Sequence, residues 1–240
     1  DDLWLGEDSL DKLVSFVKQY PGCSLYGFNC QYYYPDSNTY TKWVQYAEDV
    51  LTPISGNSAM VSLVKSGTFP MSACLKVIDR QWLIDNKITF KVAQIAEDIP
   101  WFINLLDKSD KCMFVNEYIY AYRQNVAGSI TASGGERAFN SLLDIVKSEL
   151  TLINKRSLTP EAINALCSFL AYEVSILMAF VCGLSKDKQS AARAEIKQLC
   201  WLLKYTQNPK VRMVSRVYNI FGYVITERVL QLYNWYRSRK

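Results

Sequence analysis

The chain has 240 residues, of which 50% are apolar and 13% aromatic, so it can bury a substantial core. This composition excludes disordered, fibrous and collagen-like proteins. The sequence contains no histidine, which removes imidazole from every catalytic mechanism and from every metal site. Any chemistry must therefore depend on carboxylates, thiols, hydroxyls, tyrosines or lysines.

The net charge of +4 is concentrated at one end of the chain. Residues 204–240 carry eight Lys or Arg and one acid, which leaves a net charge of −3 on the first 203 residues. A basic segment of this kind predicts contact with an anionic surface, either membrane lipid or nucleic acid. The more common alternative is a solvated basic face on the last helix of a domain.

The seven cysteines are odd in number, form no C-x-x-C pair and mostly lie in apolar stretches. We therefore expect small core side chains in a reducing compartment and no structural zinc site. The most apolar window, residues 174–184, runs eleven residues without a charge, which is too short to cross a bilayer. The sequence thus gives no support for a membrane-spanning helix.

Patterns in the first 134 residues predict a mixed α/β region. Residues 8–19 place apolar side chains on one helical face, with Asp8 as the cap. Residues 112–123 alternate between two sets of apolar and aromatic side chains, which is typical of a strand. The other predicted elements are strands at 23–34, 39–46 and 73–78, helices at 58–65 and 99–107, and a helical turn capped by Asp79.

Residues 135–240 predict helices throughout. Ser133 and Glu136 form a capping box ahead of the first helix. Thr159 and Pro160 begin a second helix, which Gly183 ends. A third helix is predicted over 187–205, and a fourth carries a nearly unbroken apolar stripe from 211 to 236.

Two acidic pairs are candidates for chemistry. Asp1-Asp2 offers carboxylate oxygens, which suit Mg²⁺ or Mn²⁺ on a diphosphate, although a frayed polar terminus has the same residues. Glu97-Asp98 stands before a helix with Pro100 in its first turn. Asp98 is therefore either an N-cap or, in a chain without histidine, a general base.

A third candidate lies where the strand predicted at 112–123 ends. Arg123 follows a tyrosine-rich run and precedes a loop that contains Gly128 and Ser129. The planar guanidinium of an arginine can bind phosphate or carboxylate through two parallel hydrogen bonds. An exposed strand end without a ligand is an equal alternative.

Taken in order and spacing, several segments of residues 1–131 resemble the later half of a family-two glycosyltransferase of GT-A fold. Asp1-Asp2 is similar to the end of that family's D-S-D-D metal motif, and Glu97-Asp98 to its E-D motif. The segments that carry the resemblance are Asp1-Asp2-Leu3-Trp4, Phe69-Pro70, Ala73 to Arg80 with Leu83, Ile88-Thr89-Phe90, Ala96-Glu97-Asp98, and Tyr120 to Arg123 with Ser129-Ile130.

The resemblance implies an α/β fold class, with the C-terminal part of a GT-A (Rossmann-like) domain over 1–134 and an all-α C-terminal region over 135–240. It implies an inverting transferase that moves a sugar from a nucleotide-diphosphate donor to a hydroxyl of a saccharide or lipid-linked acceptor, in the synthesis of cell-envelope polysaccharides. A divalent Mg or Mn ion would be the cofactor. Asp1 and Asp2 would hold that ion, and Asp98 would deprotonate the acceptor hydroxyl.

Five further residues are assigned to the acceptor or substrate by the same resemblance. Trp101 would offer a ring for sugar stacking, although a core tryptophan is equally consistent with its sequence position. Lys76 and Arg123 would contact acceptor or phosphate. The remaining two assignments are Glu97 and Ser129.

Family members carry a nucleotide-binding half ahead of the D-S-D-D strand, and the sequence shows none of it. We therefore expect a fragment that lacks most of the donor site and is inactive by itself. The predicted location is the cytoplasm, peripheral on the inner face of the membrane through residues 210–240 and without nucleic-acid binding. The alternative function is a non-catalytic helical interaction module whose front half is only a scaffold.

Overall fold

The computed structural model describes residues 2–124 and 135–237. Contacts divide the chain into two compact units. The first contains the described residues of 1–92 and 97–133, and the second contains 93–96 and those of 134–240. The predicted α/β class with a following helical region is confirmed.

A five-stranded mixed sheet organises the first unit. Its central strands, β2 (Leu25–Tyr34) and β5 (Cys112–Arg123), run parallel, and their apolar residues fill the core of this unit. β1 (Leu3–Trp4) pairs antiparallel with β5. β3 (Thr39–Lys42) and β4 (Lys76–Ile78) pair antiparallel with the two ends of the other edge of β2.

Four helices accompany this sheet: α1 (Ser9–Gln19), α2 (Gly56–Lys65), α3 (Arg80–Asp85) and α4 (Asp98–Lys108). The predicted cap of α3 is confirmed, because the Asp79 carboxylate accepts a hydrogen bond from the Trp82 amide at 2.8 Å. Asp8 occupies the predicted N-cap position of α1, but its side chain makes no capping bond and instead pairs with Lys12 at 3.0 Å. α2 begins directly against α4, since a Cβ on Gly56 would lie 1.9 Å from the Leu106 carbonyl oxygen.

The second unit consists of α5 (Gly135–Leu152), α6 (Pro160–Phe180), α7 (Lys186–Leu199) and α8 (Pro209–Arg237). Thr159 caps α6 as predicted, because its hydroxyl accepts from the Ala162 amide. In the part of the chain that the structure describes, α6 with its following turn, Pro160–Gly183, is the one helix long and apolar enough to span a membrane. However, 78% of its most apolar window is buried inside the protein.

The last helix differs from the prediction. Gly222 has φ 72° and ψ −175°, so the chain leaves helical geometry there and α8 is two helices joined at a kink. Thr226 and Glu227 are buried after the kink, whereas Ile225 and Leu232 of the predicted apolar stripe are 45% and 66% exposed. The stripe is therefore not a single face packed along its whole length. Among the predicted caps, Ser133 lies outside the described residues.

Candidate active site

Asp98 lies at the first position of α4 and not at its cap. The N-cap position belongs to Glu97, whose side chain makes no capping bond. Asp98 is half-buried, and burial raises the pKa of its carboxyl group, as does the negative charge of Glu97. The positive charge of Lys76 and the amides of Asp98 and Ile99 lower that pKa, but burial outweighs them. A carboxylate with a raised pKa accepts a proton more readily than an exposed one.

Asp2 lies beside the end of β5, because β1 pairs with that strand. One carboxylate oxygen accepts a hydrogen bond from the Tyr120 hydroxyl at 2.7 Å, and the other accepts from the Arg123 amide at 3.0 Å. These two bonds fix the direction of an exposed carboxylate. Burial raises the pKa of Tyr120, and its bond to Asp2 raises it further, so the hydroxyl stays protonated as a donor.

Tyr120 and Cys74 interact with each other near the candidate acids of the first unit. Tyr120 donates a hydrogen bond to Asp2 and also interacts with the Cys74 thiol, which is close in sequence to Lys76. Lys76 acts on Asp98. The neighbours thus run from Asp2 through Tyr120 to Cys74, and separately from Lys76 to Asp98.

Sequence reasoning missed these two residues. Tyr120 lies in one of the segments that carry the resemblance, and its position in a strand of alternating side chains was a usable signal. Cys74 also lies in such a segment, Ala73 to Arg80, but its place depends on the turn from Ala73 to Leu75 before β4.

Lys76 has a different environment from the one predicted for a substrate ligand. Its ammonium donates to the carbonyl oxygens of Pro70, Met71 and Ser72 at 2.6, 3.3 and 2.6 Å. An ammonium has three donors, so all of them are used by the backbone. Lys76 therefore has no N–H left for an acceptor or a phosphate in this conformation.

The other predicted substrate residues are distributed as follows. Trp101 is 5% exposed and stacks on Phe90 at 4.6 Å between ring centroids, so its ring packs in the interior. Arg123 is exposed at the end of β5, and Glu97 is half-buried beside Asp98. Asp1 and Ser129 lie outside the described residues.

Whether a divalent ion suits this site depends on the ligands available to it. Among the residues the structure describes, no group of three or more Cys, Asp or Glu side chains could hold a metal ion. Asp2 offers a carboxylate whose oxygens retain lone pairs beyond the two hydrogen bonds described above. Mg²⁺ is commonly held by one or two carboxylates together with substrate phosphates. The chemistry of Asp2 therefore fits an ion that arrives with a diphosphate, and not a preformed protein cage.

No protein-family model and no curated protein matches this sequence. Among solved structures, the chain is similar to S. aureus TarS 1–349 in complex with UDP-GlcNAc, with a TM-score of 0.61 and 13% identity. That match covers 100% of this chain and 66% of the TarS chain. A second structure of TarS 1–349 matches with a TM-score of 0.58 and 14% identity, covering 100% of this chain and 65% of the TarS chain. A further TarS structure matches with a TM-score of 0.57 and 14% identity, covering 95% of this chain and 38% of the TarS chain.

These likenesses show the fold. The chain spans about two thirds of the length of the TarS 1–349 structures. This chain accordingly shares the fold of its TarS neighbours, while glycosyl transfer and membership of family two stay predictions.

Proposed function

We propose that the protein to which this chain belongs transfers a sugar from a nucleotide-sugar donor to an acceptor hydroxyl, in the synthesis of a cell-envelope polysaccharide. The observation that carries the proposal is Asp98, a half-buried carboxylate with a raised pKa at the start of α4. The TarS neighbour with bound UDP-GlcNAc supports a nucleotide sugar as the donor. The inverting course, the acceptor and the metal are part of the proposal.

In this mechanism the Asp98 carboxylate accepts the proton of the acceptor hydroxyl. The hydroxyl oxygen forms a bond to the anomeric carbon from the face opposite the leaving group. The bond from that carbon to the diphosphate oxygen breaks, and the nucleoside diphosphate leaves with the electron pair. A single displacement of this kind inverts the anomeric configuration. Mg²⁺ or Mn²⁺ bound with the diphosphate would neutralise its charge, and Asp1 and Asp2 would hold the ion.

The test is the release of nucleoside diphosphate by the whole protein, since this chain covers only part of the TarS structures. UDP-GlcNAc is the first donor to assay, with Mg²⁺ or Mn²⁺ and saccharide or lipid-linked acceptors. Asp98→Asn should reduce turnover by about 10²- to 10⁴-fold, because general-base catalysis contributes this much. Asp110→Asn, at an exposed aspartate before β5, is the matched control and should leave turnover unchanged. Near-normal turnover of folded Asp98→Asn would refute the assignment.

Membrane contact through residues 210–240 stays a prediction. The second half of α8 presents exposed apolar and aromatic side chains, among them Val224, Leu232 and Tyr233. The basic excess of this segment favours an anionic lipid surface as the partner. A cytoplasmic location at the inner face of the membrane would follow from that contact.

Vesicle flotation tests this contact. The 240-residue chain should float with phosphatidylglycerol vesicles at low salt, and less with phosphatidylcholine vesicles or at high salt. Leu232→Glu should reduce flotation, whereas Val92→Glu, which adds the same charge at a 92% exposed position in the first unit, should not. If Leu232→Glu instead converts an oligomer to a monomer in sedimentation velocity, this face binds a second copy and the lipid prediction is wrong.

A further inference from the structure

Lys76 anchors an irregular stretch of chain. It lies at the start of β4, directly after the turn from Ala73 to Leu75, and its three N–H groups bind the carbonyl oxygens of residues 70–72. These oxygens belong to consecutive residues, so the chain curls around the ammonium. A neutral amine has two N–H donors and could not make all three bonds. The geometry therefore points to a charged Lys76.

This positive charge lies against the face of α4 that carries Asp98. The Lys76 nitrogen is 4.2 Å from the centroid of the Phe102 ring. Phe102 follows Asp98 by four residues in the same helix, so the two side chains occupy one face, one turn apart. Phe102 is fully buried, which keeps water away from this side of the ammonium.

The charges around this pair act in opposite directions. Burial lowers the pKa of Lys76 to about 7, whereas the negative charge of Asp98 raises it. For Asp98, burial and Glu97 raise the pKa of the carboxyl group, and Lys76 lowers it. The ammonium is therefore charged throughout the acidic pH range in which a carboxyl group titrates.

We propose that Lys76 is a positioning residue that ties segment 70–72 to the Asp98 face of α4 and keeps the Asp98 carboxylate ionised. This inference rests on the proposed function, in which Asp98 is the base. Without the ammonium, the half-buried carboxyl group would hold its proton to higher pH and could not accept one from an acceptor hydroxyl. Lys76 acts through its electric field, because its N–H groups are used by the backbone.

The experiment is a carboxyl ¹³C NMR titration of the 240-residue chain labelled at aspartate, with the Asp98 signal identified by its absence in Asp98→Asn. Lys76→Met keeps the length of the side chain and removes the charge. It should raise the Asp98 midpoint by about one pH unit, a shift expected for the loss of one nearby charge. Lys76→Arg should restore most of the difference. Lys18→Met, at an exposed lysine of α1, is the matched control and should change nothing.

An unchanged Asp98 midpoint in folded Lys76→Met would overturn the inference. If that variant does not fold, the reverse measurement decides, because coupling between two sites is reciprocal. Asp98→Asn should then lower the Lys76 midpoint, read from its ε-carbon signal, and an unchanged midpoint would also overturn it. If the titrations of Lys76 and Asp98 are coupled but Asp98→Asn turns over normally, only the proposed function is refuted. If they are not coupled but Asp98→Asn loses turnover, only the role of Lys76 is refuted.

Discussion

The two units of the protein use charged side chains in their interiors in different ways. In the helical unit, Glu149 and Arg156 form an ion pair at 2.6 Å, with side chains 2% and 5% exposed. In the α/β unit, Lys76 gives its hydrogens to backbone carbonyls and acts on Asp98 only through its charge. The first arrangement uses the carboxylate as a structural partner. The second leaves a carboxylate with a shifted pKa, which is the arrangement expected of an active site.

The strongest effect should come from breaking the ion pair of the helical unit. Glu149→Gln removes the negative charge of this buried ion pair, and the loss of one partner of such a pair costs about 3–5 kcal/mol of unfolding free energy. Urea denaturation followed by circular dichroism measures this loss. Glu195→Gln is the control, because its pair with Lys147 has the same 2.6 Å distance but side chains more than 40% exposed. It should cost at most about 1 kcal/mol. Equal losses would show that burial does not distinguish the two pairs.

A smaller effect is expected at Asp2. Tyr120→Phe removes the hydroxyl that fixes the Asp2 carboxylate, and a hydrogen bond to a charged group contributes about 1.5–3 kcal/mol when buried. Asp2 is exposed, so water replaces part of that bond and the lower end applies. In the whole protein we expect KM for the nucleotide-sugar donor to rise about tenfold, the factor that corresponds to about 1.4 kcal/mol. Tyr122→Phe, on the same strand, should leave KM unchanged; a similar rise there would remove the special role of Tyr120.

Local patterns predicted much of the fold. The elements now seen as α1, β5 and α6 came within a few residues of their observed bounds, because periodic side chains and caps such as Thr159 act over short distances. The kink at Gly222 was missed. A glycine is tolerated inside a helical pattern, so the pattern alone did not predict the positive φ of Gly222.

The sequence predicted the acidic residues of the candidate site but not the hydrogen bonds made by its residues. Asp98 follows from a motif that is local in sequence. The bond between Asp2 and Tyr120 joins residues 118 positions apart and depends on the pairing of β1 with β5. The carbonyl oxygens around Lys76 depend on the path of an irregular segment, which no periodicity encodes. The sequence predicted a substrate contact at Lys76 and did not indicate these bonds to the backbone.

The smallest expected effect concerns the ion pair of Arg193 and Glu227, in which one side chain is partly exposed and the other is buried. Arg193, on α7, binds the Glu227 carboxylate through Nε and Nη2 at 2.9 to 3.1 Å, but its side chain is 36% exposed. Burial alone would raise the pKa of Glu227, whereas the hydrogen bonds and charge of Arg193 lower it below its ordinary value of 4.5. Because the folded pKa is the lower one, ionised Glu227 stabilises the folded state above about pH 4.5. This stabilisation is lost as pH falls through the folded pKa.

Arg193→Gln should therefore reduce unfolding free energy by about 1 kcal/mol or less at neutral pH, since solvent screens a pair of this exposure. The difference from the unaltered chain should shrink as pH falls below 4.5, which urea denaturation at a series of pH values measures. A difference that stays constant through this range would mean that Arg193 contributes by packing its methylene chain and not by its charge. In that event Glu149, and not Glu227, would be the carboxylate that an arginine charge stabilises. The contrast with Asp98 would then rest on the buried pair of Glu149 and Arg156.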